Sequence, residues 1–198
     1  MKKLVFASNN AHKLEEVRAI MPDDITVLSL HDIGFEAEIE ETGATLEQNS
    51  AIKARAVYQW LKQTIANDQS IAAFGVFADD TGLEIDALHG APGVYTARWA
   101  GEPAANRAKA LRELADSSNR NAQFRTVITL IQNDTITQVE GIVRGKIAEK
   151  ERGDGGFGYD PVFIPDGYNK TFAELPANIK NSISHRGRAL AKLVQVLR

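Results

Sequence analysis

Two adjacent carboxylates, Asp79 and Asp80, are the residues whose types most directly suggest chemistry in this sequence. They follow a short apolar run at 76–78 and precede a Thr-Gly pair at 81–82 that predicts a turn. Alternating apolar and acidic residues at 83–86 then predict a half-buried strand. A rigid element with an acidic pair at its tip could hold a divalent cation and a water-activating base. An ordinary turn rich in Asp and Gly fits the same residues.

A polar loop after the first predicted strand, at 4–7, is a candidate phosphate site. Ser8, Asn9 and Asn10 can each cap the helix that the apolar pattern predicts next. The unpaired N–H groups of a helix start favour an anion, and Lys13 in the first turn could add a contact to phosphate. Simple capping with a solvated lysine is the alternative.

Two glutamates, Glu40 and Glu41, lie just before a second predicted helix, for which Thr45 and Gln48 have capping-box spacing. The glutamates could ligate a metal, or they could only stabilise the helix dipole. Lys53 lies on that helix among apolar neighbours, where a lysine usually extends its ammonium group to solvent.

The segment 153–161 contains four glycines, which allow the backbone to approach a ligand closely. Phe157 and Tyr159 offer flat faces for stacking, and Asp160 could accept hydrogen bonds from the edge of a base. A flexible surface loop is the alternative, although such a loop rarely carries two aromatic residues.

A basic cluster opens the last predicted helix. Lys180, His185 and Arg186 suit an anion or the carbonyl groups of a purine, and Ser182 or Ser184 could cap the helix. For His185 and Arg186, a surface pair is the alternative.

The elements that must position these clusters follow from hydrophobic periodicity and turn residues. Strands are predicted at 4–7, 25–28, 76–78, 83–86, 123–131 and over 135–148, helices after residue 10, after residue 45, over 104–114 and from about residue 180, and a loop at 67–70. Asn133 and Asp134 form a predicted hairpin turn, so the last strands form an antiparallel stretch and a possible second lobe.

The composition narrows the class of protein. The chain has 198 residues, 43% hydrophobic and 25% charged, with a formal net charge of −3. This is an ordinary globular balance, without the basic field that attracts nucleic acid. The absence of cysteine excludes disulfides and thiolate metal sites. No stretch reaches membrane-spanning length, and the first apolar run is too short for a signal peptide. We therefore expect a cytoplasmic protein with no membrane partner.

Together, the clusters predict a Mg²⁺-dependent enzyme that acts on a nucleoside triphosphate. Carboxylates without thiols or paired histidines select a hard cation such as Mg²⁺, which binds through one or two carboxylates plus substrate phosphates. A nucleotide- or RNA-binding module without catalysis stays open, because Phe157 and Tyr159 could stack on bases. The negative charge of the chain and of the Asp79–Asp80 pair argues against that module. A P-loop is excluded, since Gly-Lys-Ser/Thr does not follow the first strand.

Motifs along nearly the whole chain resemble those of the inosine triphosphate pyrophosphatase-like family, the dITP/XTP pyrophosphatases, and occur in the same order. The matching residues are Ser8-Asn-Asn-Ala-His-Lys13, Glu40-Glu-Thr-Gly43, Glu47-Gln-Asn49 with Lys53-Ala54, Ala78-Asp-Asp-Thr-Gly-Leu83, Gly90-Ala-Pro-Gly93 with Arg98, Gly155-Gly-Phe-Gly-Tyr-Asp-Pro161 and Ser184-His-Arg-Gly187. Any one motif is weak, but the set is specific. Two departures are Asn9, where relatives commonly have glycine, and a segment at 64–74 that is longer than expected.

The resemblance implies an α/β fold that is elongated and two-lobed, with a long central mixed sheet flanked by helices and the active site in the cleft between the lobes. It implies a single domain over 1–198 that forms a homodimer. It also implies hydrolysis of a purine triphosphate, as dITP, ITP or XTP, to the monophosphate and pyrophosphate, with water attacking the α-phosphorus. The partner is then a small-molecule substrate rather than a nucleic acid.

The resemblance also assigns roles to residues. Asp80 would be the general base and a Mg²⁺ ligand, Glu40 the second ligand, and Asp79 and Glu41 weaker candidates. The triphosphate would be held by Ser8, Asn9, Asn10, Ala11, His12 and Lys13, with Lys53 supporting its charge. The nucleotide would be contacted by Thr81, Phe157, Gly158, Tyr159, Asp160, Lys180, His185 and Arg186.

Overall fold

A computed structural model describes residues 2–65 and 74–198 of the chain. The predicted loop at 67–70, and most of the unexpectedly long segment at 64–74, lie outside the described residues.

The strands form a seven-stranded mixed sheet in the order β2-β1-β3-β5-β6-β7, with β4 paired to β3. The strands are β1 (Lys2–Phe6), β2 (Ile25–Leu28), β3 (Phe74–Ile85), β4 (Pro92–Gly93), β5 (Asn121–Gln132), β6 (Thr135–Ile147) and β7 (Phe163–Pro165). β1 pairs in parallel with β2 and with β3, whereas β4 pairs antiparallel with β3 and β7 with β6. A mixed sheet with helices between its strands confirms the predicted α/β class.

Five α-helices lie in the described parts of the chain: α1 (Ala11–Ile20), α2 (Leu46–Ile65), α3 (Pro103–Glu113), α4 (Ala177–Ile183) and α5 (His185–Val196). The starts of α1 and α2 follow the predicted caps. The Asn10 side chain accepts the Lys13 N–H at 3.1 Å, and the Thr45 hydroxyl accepts the Gln48 N–H at 3.2 Å. Among these helices, none combines the length and the apolar character that crossing a membrane requires.

The chain divides into two compact units. The first comprises Met1–Asp80, Val127–Glu140 and Ala189–Arg198, and the second comprises Thr81–Thr126 and Gly141–Arg188. Each unit has its own core, described in turn below.

In the first unit, β1 and β3 are buried on both faces, as parallel strands usually are. Phe6 and Phe77 stack with ring centroids 4.9 Å apart and share a cluster with α1 and with Leu190 and Leu193 of α5. The alternate residues of the same strands, Val5 and Val76 among them, pack against Ala54, Val57 and Leu61 of α2. Helices therefore cover the strands on both sides.

The second unit has an aromatic core. Phe124 of β5 packs against Phe163 of β7, with ring centroids 4.7 Å apart, and Phe163 packs against Phe172 at 5.3 Å. Leu83 and Ile85, at the end of β3, join this cluster and are fully buried. The half-buried strand predicted at 83–86 is thus confirmed.

The turn predicted at 81–82 is wrong, because β3 continues through it to Ile85. The Thr81 hydroxyl lies 2.7 Å from the Thr126 hydroxyl of β5, and a β-branched residue with a partner in a neighbouring strand suits extended backbone. The acidic pair therefore lies within a long strand rather than at a tip.

The last predicted helix begins at His185, directly after Ser184, and a separate short helix, α4, precedes it. Ser184 has extended dihedrals, φ −67° and ψ 160°, and its hydroxyl accepts the Gly187 N–H at 3.1 Å. An extended residue with a side-chain acceptor is a helix N-cap. Lys180 consequently lies in the last turn of α4, while His185 and Arg186 begin α5, and Ser184 is confirmed as the cap.

Candidate functional site

The first unit contains a buried group of charges, here called the acidic cluster: Glu41, Asp79 and Asp80 with Lys13 and Lys53. Asp79 is 2% exposed and Asp80 8%, so each carboxylate requires a compensating charge. Lys13 of α1 donates to Asp79 Oδ1 at 3.0 Å. Lys53 of α2 lies 3.6 Å from Asp80 Oδ1. The strand thus presents two neighbouring acids to two different lysines.

Lys53 connects its own helix, α2, to the loop that carries Glu41 and to Asp80 in β3. Its ammonium donates to Glu41 Oε2 at 3.0 Å, and the residue is only 8% exposed. Neither a solvated Lys13 nor a solvent-directed Lys53 is found. Both ammonium groups instead pair with carboxylates that are distant in sequence.

Burial and charge shift the pKa values in this cluster. Burial raises the pKa of Asp80, an effect that Lys53 and Lys13 oppose and that Glu41 and Asp79 reinforce, and the net direction is upward. Burial lowers the pKa of Lys53, but the attraction of Asp80, Asp79 and Glu41 outweighs it, so the ammonium is held charged. A buried carboxyl with an elevated pKa has the property that a general base needs.

The acidic cluster also fits a hard cation. Asp80 Oδ2 is buried and has no hydrogen-bond partner, which for a polar atom normally costs about 1–3 kcal/mol. Within 2–65 and 74–198, no three acidic or histidine side chains are grouped so as to enclose a metal ion. Two carboxylates completed by water and substrate oxygens are what Mg²⁺ commonly uses. The donor set therefore suits Mg²⁺ better than a metal that needs a full protein cage.

The structure brings Glu41, rather than Glu40, to Lys53. Glu40 is exposed, whereas Glu41 is half-buried. The two residues are adjacent in the same loop. Glu40 as second ligand stays a prediction, and Glu41 is the carboxylate whose position the contacts support.

The loop before α1 is preorganised by its own hydrogen bonds. The Ser8 hydroxyl accepts the Asn10 N–H at 3.2 Å, and Asn10 caps the helix, which confirms the capping interpretation for that residue. Asn9, Ala11 and His12 are exposed. A helix start of this kind has the general property of attracting an anion.

Asn49 of α2 holds the loop that carries Glu40 and Glu41. It is fully buried, and its Oδ1 accepts the Gly43 N–H at 2.7 Å. Gln48 adds a second bond, from the Ala44 N–H to its Oε1 at 2.7 Å. Sequence reasoning assigned Asn49 no role, although its spacing of four residues from Lys53 places both on one face of the helix.

We expect Gly43→Ala to destabilise this loop. An added Cβ would lie 2.6 Å from Asn49 Oδ1 and 2.7 Å from the Gln48 Cβ, so the loop must shift at a cost of about 1–3 kcal/mol. Urea unfolding checks the loss, with Thr42→Ala, an exposed neighbour, as control. Identical midpoints for Gly43→Ala and wild type would contradict the close approach.

The second unit contains a different group, here called the cation–aromatic cluster: Phe157, Asp160, Lys180, His185 and Arg186. Lys180 donates to Asp160 Oδ2 at 2.6 Å, and its Nζ lies 5.0 Å from the Phe157 ring centroid. The Arg186 guanidinium lies 5.7 Å from the same ring. Two cations beside one aromatic ring are chemically suited to a flat, electron-rich partner.

The two residues that open α5 are buried rather than exposed. His185 stacks on Phe124 with ring centroids 4.6 Å apart, and Arg186 is only 2% exposed. Arg186 also reaches Thr81, with Nη2 3.4 Å from the hydroxyl oxygen. The interpretation of His185 and Arg186 as a surface pair is therefore wrong.

The glycine-rich loop is held in one shape. Asp160 Oδ2 accepts the Phe157 N–H at 2.8 Å, and a Cβ on Gly156 would lie 2.0 Å from that oxygen, so only glycine fits. Arg107 of α3 donates to the Gly158 carbonyl at 2.9 Å and pairs with Glu151 at 3.0 Å. The sequence carried no signal for Arg107, which resembles an ordinary surface arginine on a helix.

Tyr159 has a different environment from Phe157. It is 4% exposed and packs in the aromatic core, and its hydroxyl donates to the Thr96 carbonyl at 3.0 Å. Burial raises the pKa of that hydroxyl. Tyr159 therefore anchors the loop, and of the two aromatic residues, Phe157 is the one that lies beside the cations.

Comparisons with known proteins agree with this arrangement. The Ham1 family model matches residues 4–196. The chain is 47% identical to a dITP/XTP pyrophosphatase of Flavobacterium johnsoniae, over 98% of the chain and 97% of that protein. It is 45% identical to a dITP/XTP pyrophosphatase of Bacillus subtilis, over 100% and 98% respectively.

Two solved structures share the fold. The Ham1 protein of Staphylococcus aureus aligns with a TM-score of 0.84 and 38% identity, over 99% of this chain and 98% of that one. A HAM1 protein from Coxiella burnetii aligns with a TM-score of 0.82 and 39% identity, over 100% and 98%. Motifs, fold and full-length similarity coincide, and the chain belongs to the Ham1 family.

Proposed function

We propose that this protein hydrolyses non-standard purine nucleoside triphosphates, dITP or ITP and XTP or dXTP, to the monophosphate and pyrophosphate. The chain is a nucleoside-triphosphate pyrophosphatase. The observation that carries the proposal is the buried Asp80 carboxylate, which has an unpartnered oxygen and lies beside Lys53. Relatives at 45–47% identity that bear the name dITP/XTP pyrophosphatase support the substrate class.

Asp80 and Glu40, or Glu41 in its place, would hold Mg²⁺. When bound, the ion neutralises phosphate charge and polarises the reacting phosphoryl group. Asp79 remains paired with Lys13. Asp80 has an oxygen, Oδ2, that accepts no hydrogen bond, so Asp80 is the better candidate for both ligand and base.

The chemistry assigned to Asp80 is general-base catalysis. Its carboxylate takes a proton from the water that attacks the α-phosphorus, a P–O bond to the β-phosphate breaks, and pyrophosphate leaves. Its elevated pKa makes it a stronger base than an exposed aspartate. The N–H groups of the α1 start, with Ser8, Asn9, Asn10, Ala11, His12 and Lys13, bind the triphosphate, and Lys53 contributes positive charge.

The cation–aromatic cluster would recognise the base. Hypoxanthine and xanthine carry a 6-oxo group where adenine has an amine, so the donors Lys180, His185 and Arg186 favour them over ATP. Phe157 offers a stacking face, and Thr81, Gly158, Tyr159 and Asp160 complete the nucleotide contacts. Guanine also has the 6-oxo group, so the rejection of GTP depends on excluding its 2-amino group or leaving that group unpaired.

The family resemblance supports three wider assignments. The whole chain, 1–198, would act as one catalytic domain, form a homodimer, and work in the cytoplasm, where it removes these nucleotides from the precursor pool. Light scattering coupled to size-exclusion chromatography tests the dimer directly.

Pyrophosphate release tests the function. We expect Mg²⁺-dependent release from ITP and XTP at mildly alkaline pH, and little from GTP or ATP. The release of single phosphate would contradict attack at the α-phosphorus. Binding of ITP without any release would instead favour a nucleotide-binding module.

A further inference from the structure

Lys53 occupies the position at which the acidic cluster needs positive charge. Its ammonium lies 3.0 Å from Glu41 Oε2 and 3.6 Å from Asp80 Oδ1. Lys53 and Asp80 are each at most 8% exposed, so water screens the contact between them weakly.

The proposed metal ligands, Asp80 with Glu40 or with Glu41 in its place, would bring a divalent cation to the carboxylates that Lys53 contacts. The Lys53 ammonium and a metal ion would repel each other at such distances. The single negative charge of Glu41 cannot fully neutralise both cations. Lys13 donates to a different carboxylate, that of Asp79, at 3.0 Å.

We propose that Lys53 sets the affinity of the acidic cluster for its divalent cation. In the metal-free protein, its ammonium neutralises Glu41 and Asp80. When the ion binds, the ammonium leaves Glu41 and becomes available to a phosphate group. This inference rests on the metal site of the proposed function, and it adds that Lys53 and the ion are antagonists in the free protein.

The antagonism makes a prediction that phosphate binding alone does not. If Lys53 only contacted substrate, its removal would leave the metal affinity of the free protein unchanged. If Lys53 only stabilised the fold around the cluster, its removal would weaken metal binding. Competition predicts the opposite sign, tighter metal binding after the ammonium is removed.

The test is isothermal titration of the full-length protein with MgCl₂ or MnCl₂, without nucleotide. Lys53→Met keeps an unbranched side chain and removes the charge. We expect it to tighten the cation Kd by about tenfold, equivalent to about 1.4 kcal/mol. The metal-free variant should melt at a lower temperature than wild type, and added Mg²⁺ should raise its Tm by more than it raises that of wild type.

Two control variants separate the charge from other effects. Lys62→Met removes a lysine of the same helix whose exposed partner is Asp134, 2.7 Å away, and should leave the cation Kd unchanged. Lys53→Arg keeps a positive charge and should not tighten the Kd. If Lys53→Met does not fold, Lys53→Gln serves the same purpose.

An unchanged or weaker cation Kd in Lys53→Met would overturn the proposal. So would the absence of measurable cation binding in both wild type and variant, since the ammonium would then not be what keeps the ion out. Neither result bears on pyrophosphate release by the wild-type protein, so the proposed function stands or falls on its own assay.

Discussion

Asp80→Asn is expected to reduce Mg²⁺-dependent pyrophosphate release from ITP by about 10³-fold or more, because general-base catalysis alone contributes about 10²–10⁴-fold. Asparagine has the same shape but cannot accept the proton of the attacking water, and it is a poorer ligand for a hard cation. A single-turnover assay of pyrophosphate at saturating ITP measures the effect on chemistry.

The stability of the same variant separates lost chemistry from lost structure. Burial raises the pKa of Asp80, which means that the folded protein disfavours its ionised form relative to the unfolded chain. Neutral asparagine should therefore leave the metal-free Tm unchanged or raise it. Asp134→Asn, at an exposed aspartate of the same unit, should leave the activity unchanged. Activity of Asp80→Asn within tenfold of wild type would exclude Asp80 as the base.

Asp160→Asn is expected to lower the free energy of unfolding by about 3–5 kcal/mol, the usual cost of removing one partner of a buried ion pair. Lys180 is 5% exposed and donates to Asp160 Oδ2 at 2.6 Å, so the substitution leaves a buried ammonium without its counter-charge. The same oxygen accepts the Phe157 N–H, and a displaced Phe157 should raise the KM for ITP. Urea unfolding monitored by fluorescence gives the stability.

A surface ion pair of the same chemistry provides the matched comparison. Lys62 and Asp134 approach to 2.7 Å, with side chains 56% and 68% exposed, and such pairs contribute little because water screens them. Asp134→Asn should therefore unfold at nearly the wild-type urea concentration. Equal losses in the two variants would show that burial does not determine the strength of the Lys180–Asp160 pair.

Local signals predicted most of the elements. Asn10 and Thr45 cap helices as their side chains suggest, because a cap depends on residues within one turn. Asn133 and Asp134 form the expected hairpin turn with φ values of 50° and 60°, a conformation that these two residue types tolerate better than most.

The turn predicted at 81–82 was overridden by a partner distant in sequence. Thr81 and Gly82 are common turn residues, but the hydroxyl of Thr81 meets Thr126, 45 positions away, and the strand continues. Ser184 was among the predicted caps of the last helix, but periodicity gave no sign of α4, the short helix that ends just before it.

The sequence by itself determined which chemical groups are present and that they belong to the Ham1 pattern, since residue types in a fixed order carry that information. Only the tertiary structure decided which charges meet. Lys13 and Asp79 are 66 positions apart, and Lys53 could have been a solvated lysine on a surface helix. The physical reason is burial: once strand β3 carries its carboxylates into the interior, each must find a cation, and only the packing of α1 and α2 against that strand determines which one it finds.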